Sequence, residues 1–213
     1  DSTLGDSTLG DSTLGDSTSE EKTLIEKILE IKNFFNITKH IYSKKIISKV
    51  YKLRFFDRLN RVEILNKKLR LNLGYLQLLS ILLIGNDKKI INFLREFRLS
   101  KKEKKYLNFI YKEFKLLNKN PYNYQTIKRH IYFYKKDLTL DFLNFIFCLK
   151  KEININTLKK YRLFIQRLKV PRFPISGNFL IKKGFKQGIK LGRKLDSLRS
   201  SWIKNNFKLN LNN

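Results

Sequence analysis

From Ser19 onward the apolar residues recur at steps of three and four, and no stretch settles into the strict alternation, with turn signals, that a half-buried strand requires. That period confines the chain to helices packed on helices. In LIEKILEIKNFF it places Leu24, Ile28, Ile31 and Phe35 on one stripe, with Ser19 positioned to cap the helix. Ser43 is the expected cap of KKIISKVYKLRFF, with Ile46, Val50 and Leu53 facing inward. YLQLLSILLI is almost wholly apolar and lies between Gly74 and Gly85, so the spacing predicts a short core helix, with INFLREFRL as the next. Ser100 followed three residues later by Glu103 is a capping box opening KKEKKYLNFIYKEFKLL, whose buried stripe is Leu107, Ile110, Phe114 and Leu117. Pro121 in NKNPYNY breaks the chain, and helices are expected at about 124–135, 139–150 and 155–168. The fold predicted is all-α: a multi-helix body with a basic C-terminal helical hairpin, preceded by a disordered N-terminal repeat.

Three segments follow from this reading: a repeat or linker at 1–18, a helical body at 19–168 and a basic helical tail at 169–213. Residues 1–18 are DSTLG three times and then DST, too polar to bury the surface that order requires, and replication slippage explains the repetition. Methionine is absent even at position 1, so the chain is expected to be the back part of a longer reading frame or a processed product. The longest uncharged run outside the repeat, 71–86, is shorter than the ~20 residues that span a bilayer, and no membrane partner is expected. The polar, acidic start shows no signal peptide. The expected compartment is the cytoplasm, with the mitochondrial matrix as the alternative. Cys148 has no second cysteine to pair with, which fits a reducing compartment, and His40 and His130 are too far apart in sequence to suggest a zinc site.

Charge narrows the partner. The chain holds 46 Lys and Arg against 18 Asp and Glu, and four of those acids lie in the opening repeat, which has no basic residue. A polyanion is the natural partner of such a surface, nucleic acid before membrane. Drift toward AAA and AAT codons would also enrich lysine and asparagine, and the absence of alanine fits it. Drift does not deplete acids, so the polyanion reading is the one retained. Most of the 17 Phe and 10 Tyr fall at core spacing, which makes them packing residues before base-stacking platforms.

Catalytic patterns are missing. Phosphoryl and nucleotidyl transfer use paired carboxylates to hold metal, commonly Asp-x-Asp, and the sequence has none. Asp137 and Asp141 in KDLTLDF stand one helical turn apart and read as surface acids near a helix start. Neither a phosphate-binding GxxxxGK[ST] loop, nor GxSxG, nor HExxH occurs.

Residues 171–202, PRFPISGNFLIKKGFKQGIKLGRKLDSLRSSW, gather two of the three prolines, Pro171 and Pro174, and three glycines spaced four apart. Ser176 is placed to cap a short helix over GNFLIKK that Gly184 stops in the left-handed conformation. A second helix is expected from about Gln187, with Leu191, Leu195, Leu198 and Trp202 on one face and Trp202 as a core anchor. Gly188 and Gly192 leave its first turns bare, so another backbone can come close and exposed N–H groups can meet a phosphate. Residues 169–213 carry eleven basic residues and one acid, Asp196. Lys182, Lys183, Lys186, Lys190, Arg193, Lys194 and Arg199 are the candidate RNA-binding residues.

This stretch resembles the C-terminal signature of the CCA-adding tRNA nucleotidyltransferase and bacterial poly(A) polymerase family. The resemblance rests on Pro174, Ser176, Gly177, Leu180, Gly184, Gly188, Leu191, Gly192, Leu195, Leu198 and Trp202, while Phe179 stands where the signature has Asp. Upstream, LRLNLGYLQLLSILL and LREFRLSKKEKKYL are similar to the family's helical body, and YSKKIISKVYKL lacks the Glu-Arg pair usual there. The resemblance implies the body and tail that hold the tRNA acceptor and T arms, without the catalytic head, its GGxxRD loop and DxD carboxylates, or the neck motif that selects CTP and ATP. It implies RNA, above all tRNA, as partner, a separate head domain as a second partner, and no cofactor here, with Mg2+ expected only alongside such a head. A stand-alone basic module that binds nucleic acid without catalysis is the alternative, and a helical docking protein charged by codon drift is a third.

Overall fold

In a computed structural model of the chain, residues 24–30, 34–117 and 121–209 are described, and among them every regular element is helical. The DSTLG repeat and the Ser19 cap fall outside those residues. The described chain forms two compact units, one of residues up to 116 with 148–150, the other of 117–147 with 151 onward.

The first unit contains α1 (24–30), α2 (Phe34–Ile37), α3 (Ile41–Tyr51), a 3-10 turn (Phe56–Arg58), α4 (Leu59–Leu69), α5 (Tyr75–Leu83), α6 (Lys89–Glu96) and α7 (Lys101–Leu117) up to Leu116. Its centre is α5, where Leu78 to Leu83 are all buried. Ser80 is buried there too, and its hydroxyl donates to the Gln77 carbonyl at 2.7 Å. A helix this apolar has no side chain to satisfy its own last carbonyls. Two arginines do it instead. Arg58 Nη1 donates to the Ile81 and Ile84 carbonyls, both at 2.7 Å, and Arg54 Nη2 donates to Leu83 at 2.8 Å. Burial pushes the Arg58 guanidinium down to about 10, which leaves it charged at neutral pH. It also lies 3.8 Å from the centroid of the Phe55 ring. Gly85 is glycine for space, since a Cβ there would sit 2.5 Å from Phe55 Cζ.

The capping box opening α7 forms as expected: Glu103 N donates to Ser100 Oγ at 3.3 Å and Ser100 N to Glu103 Oε2 at 2.6 Å. Leu107, Ile110, Phe114 and Leu117 are buried along that helix. Two stripes differ from expectation by one position. In α3 the buried residues are Ile47 and Tyr51, while Ile46 and Val50 are exposed. The helix begins after His40, not at Ser43, and ends at Lys52, whose φ of 56° reverses the chain. Leu53, correctly read as buried, therefore lies beyond the helix and does not share its phase. In α1, Ile25 and Leu29 are buried and Leu24 is exposed, while Ile31 lies outside the described residues. The lone Cys148 is buried, and burial pushes its thiol up to about 12, so it stays protonated and inert at neutral pH.

The second unit is built on α8 (Tyr124–Leu149) up to Phe147, α9 (Ile155–Arg167), α10 (Gly177–Lys182) and α11 (Ile189–Lys204). The helix expected to end at 135 and restart near 139 breaks at a single residue, Lys135, with φ 67° and ψ 173°. Thr139 Oγ1 donates back to the Lys135 carbonyl at 2.6 Å, which holds the restart. Ile127, Phe142, Leu143, Phe145 and Ile146 fill the core of this unit with Leu158 and Ile165 from α9. Asn154 caps α9 by accepting from Thr157 N at 2.9 Å. No helix among the described residues is long and apolar enough to cross a membrane.

Arg58→Met should cost about 2–4 kcal/mol, because two buried carbonyls lose their donor. Urea unfolding of both chains measures it, and an unchanged midpoint would show that water replaces the guanidinium without penalty.

Candidate nucleic-acid interface

The segment entering this region, Leu168–Ser176, has no regular structure and ends on a cap: Ser176 Oγ accepts from Phe179 N at 3.2 Å. Pro174 lies just before it and is exposed. α10 turns out after Lys182, with Gly184 N donating to the Ile181 carbonyl at 2.9 Å and Phe185 N to Leu180 at 3.1 Å. Gly184 takes φ 90° there. Gly188 then starts α11 at φ 130° and ψ −165°, a conformation open essentially to glycine alone. Two of the three four-spaced glycines are thus backbone necessities.

The hairpin closes on small and apolar contacts. A Cβ at Gly177 would lie 3.8 Å from Leu195 Cδ1 and 3.9 Å from Leu191 Cδ2, so the start of α10 sits against the apolar face of α11. Leu180 and Leu191 are buried. Trp202 is 2% exposed and packs edge-on against Phe173, Tyr132 and Phe207, with centroids 5.2, 5.7 and 4.9 Å away. It is a core anchor, as its place in the stripe predicts.

The candidate contact residues divide into two kinds. Lys182, Lys183, Lys186, Lys190, Arg193 and Lys194 are exposed, at the end of α10, in the turn and on the first turns of α11. Arg199 is different: Nη1 donates to Asp196 Oδ1 at 2.8 Å, and the guanidinium lies 5.4 Å from the Phe173 ring centroid. It braces the hairpin. Beside Gly184, Gly188 and Gly192, apart from adjacent residues and the glycine's own helix backbone, no atom of the described residues lies within 4 Å of where a Cβ would stand. Among the described residues, no other helix makes the close backbone approach expected at Gly188 and Gly192.

A second basic surface in the same unit has no counterpart in the sequence pattern. Tyr124, Leu163 and Phe164 wall a groove that Lys128, Lys160 and Arg167 border. Its residues come from positions 124–128, 160–168 and 206, so no local motif could reveal it. Periodicity could only mark Tyr124 and Leu163 as apolar residues off the buried stripes.

Compared with known proteins, the chain matches no family model and no curated protein. The functional reading therefore rests on residues 171–202 and their geometry.

Trp202→Ala should destabilise the chain by about 3–5 kcal/mol, the cost of deleting a large ring from a packed site. As the sole tryptophan, it should emit at the short wavelengths of a dry environment in the folded chain. Emission at the wavelength of water-exposed indole would contradict the anchor.

Proposed function

We infer that the chain is the RNA-binding C-terminal part of a protein of the CCA-adding tRNA nucleotidyltransferase family. In this reading it holds tRNA for 3′-end nucleotide addition by a head domain that is not in this chain. One observation carries the proposal. The signature positions of residues 171–202 form a capped, glycine-turned hairpin with six exposed cations around its turn and open space beside its glycines. The Ile189 and Lys190 backbone N–H groups precede the first amide of α11 that finds an acceptor, which is Leu191 on Gly188 at 3.1 Å. Such free donors beside lysines suit phosphate oxygens. The stand-alone, non-catalytic module is the second reading, and the lack of any Asp-x-Asp in the sequence suits it.

Replacing Lys182, Lys186, Lys190 and Arg193 together by Ala should weaken tRNA binding and flatten its dependence on salt. The log–log slope should fall by about 0.7–0.9 for each phosphate that the variant no longer neutralises. Unchanged affinity and slope would place the RNA elsewhere on the surface.

Catalysis is tested separately. The chain alone should bind tRNA lacking its 3′ CCA and incorporate no labelled CTP or ATP into it with magnesium, because the sequence has no Asp-x-Asp and Asp137 and Asp141 lie on α8. Incorporation by the chain alone would overturn the proposal. Incorporation only when a separately expressed head is added would support it. Binding with no incorporation in either case would favour the non-catalytic module.

A further inference from the structure

The groove beside α9 has a volume of about 740 Å³ and joins two surfaces of opposite character. Its apolar side presents Tyr124 and Leu163, each 45% exposed, and Phe164, whose ring meets that of Tyr124 edge-on at 4.8 Å between centroids. Its polar side carries Lys128, Lys160 and Arg167, and no carboxylate among the described residues lines it. Lys128 is the unusual one. It is only 9% exposed, its ammonium donates to Asn206 Oδ1, and among the described residues no carboxylate pairs with it. A part-buried cation facing a groove, with one amide oxygen as its partner, has room for a counter-charge. The walls are tied together, since Gln125 Nε2 donates to the Lys204 carbonyl at 3.0 Å and joins the start of α8 to the end of α11.

The two halves of the groove together restrict its occupant. An apolar peptide or acyl chain would cover Tyr124 and Leu163 but leave Lys128 without a counter-charge. Inorganic phosphate would answer the lysines and leave the aromatic wall in water. A nucleotide satisfies both, with a flat ring for the aromatic side and a phosphate for the cations. Within a base-paired helix the ring faces are already stacked on neighbours, so only an unpaired nucleotide offers one. We propose that this groove takes one unpaired nucleotide of RNA, its base against Tyr124 and Phe164 and its flanking phosphates on Lys128, Lys160 and Arg167. The inference rests on the RNA-binding reading above and adds a separate site to it.

The experiment uses the whole chain and a hairpin RNA carrying 2-aminopurine either at a single-stranded overhang position or at a paired one. Binding should change the emission of the unpaired probe and leave that of the paired one unaltered. Tyr124→Leu, which keeps an apolar side chain in place, should abolish the change and weaken binding to the overhang between roughly fivefold and 150-fold, the range that one base–aromatic stack supports. Affinity for a blunt duplex should not move. Lys160 and Arg167 are exposed, so replacing both by Ala spares the fold, and it should lower the single-strand salt slope by about 0.7 for each phosphate set free. Suppose tRNA binding depends on the hairpin lysines while the probe stays silent and both groove variants bind the overhang as the parent does. The groove inference then falls and the RNA-binding reading stands. If the parent chain binds neither RNA, both fall together.

Discussion

Like charges crowd the end of this chain, and its fold has to hold them there against their own repulsion. Eleven basic residues and one acid occupy positions 169–213. What opposes the repulsion is apolar: Leu180, Leu191, Trp202 and Ile203 are buried on the inner side of α10 and α11. Burying an indole alone contributes about 4–6 kcal/mol of transfer free energy. Salt largely screens repulsion between exposed lysines more than about 8–10 Å apart at physiological ionic strength. Of the seven candidate cations only Arg199 is engaged within the hairpin, by Asp196 and Phe173.

Part of the positive charge serves the fold itself. With acids scarce, several basic side chains are spent on the backbone. Arg58 and Arg54 satisfy carbonyls at the end of α5, Lys115 donates to the Asn86 carbonyl at 2.5 Å, and Lys136 to that of Gln166 at 2.6 Å. Arg162, half-buried, reaches Asn144 Oδ1 at 3.0 Å, and burial lowers its pKa. Net charge consequently overstates the surface a polyanion can use. The turn of the hairpin and the rim of the α9 groove are two places where exposed cations gather.

Local chemistry is legible in the sequence, and tertiary choices are not. Ser100 with Glu103, and Ser176 ahead of GNFLIKK, announce helix starts because each cap needs only residues within one turn of itself. The Leu107–Leu117 stripe is readable for the same reason, since α7 runs four turns without interruption. The phase of α3 is hidden because Leu53 continues the pattern of a helix that stops at Tyr51, and nothing but the reversal at Lys52 shows this. Lys135 is similar: a single left-handed residue breaks α8 with no glycine or proline to signal it. The groove lies furthest out of reach. Tyr124, Lys160 and Asn206 belong to three separate stretches of chain, and a linear pattern carries no trace of their meeting.

The three glycines spaced by four look alike on paper and are held by unlike demands. Gly184 and Gly188 sit where a side chain would strain the backbone. Gly192 lies inside α11 with open space around it, where alanine would favour the helix by about 0.5–1 kcal/mol. The fold by itself gains nothing from glycine there. A library selected only for thermal resistance would exchange Gly192 early and leave Gly188 untouched. One selected for capture of a ligand lying against the bare helix would keep both, so the tolerance of this one position separates what the molecule requires to stand from what it requires to hold.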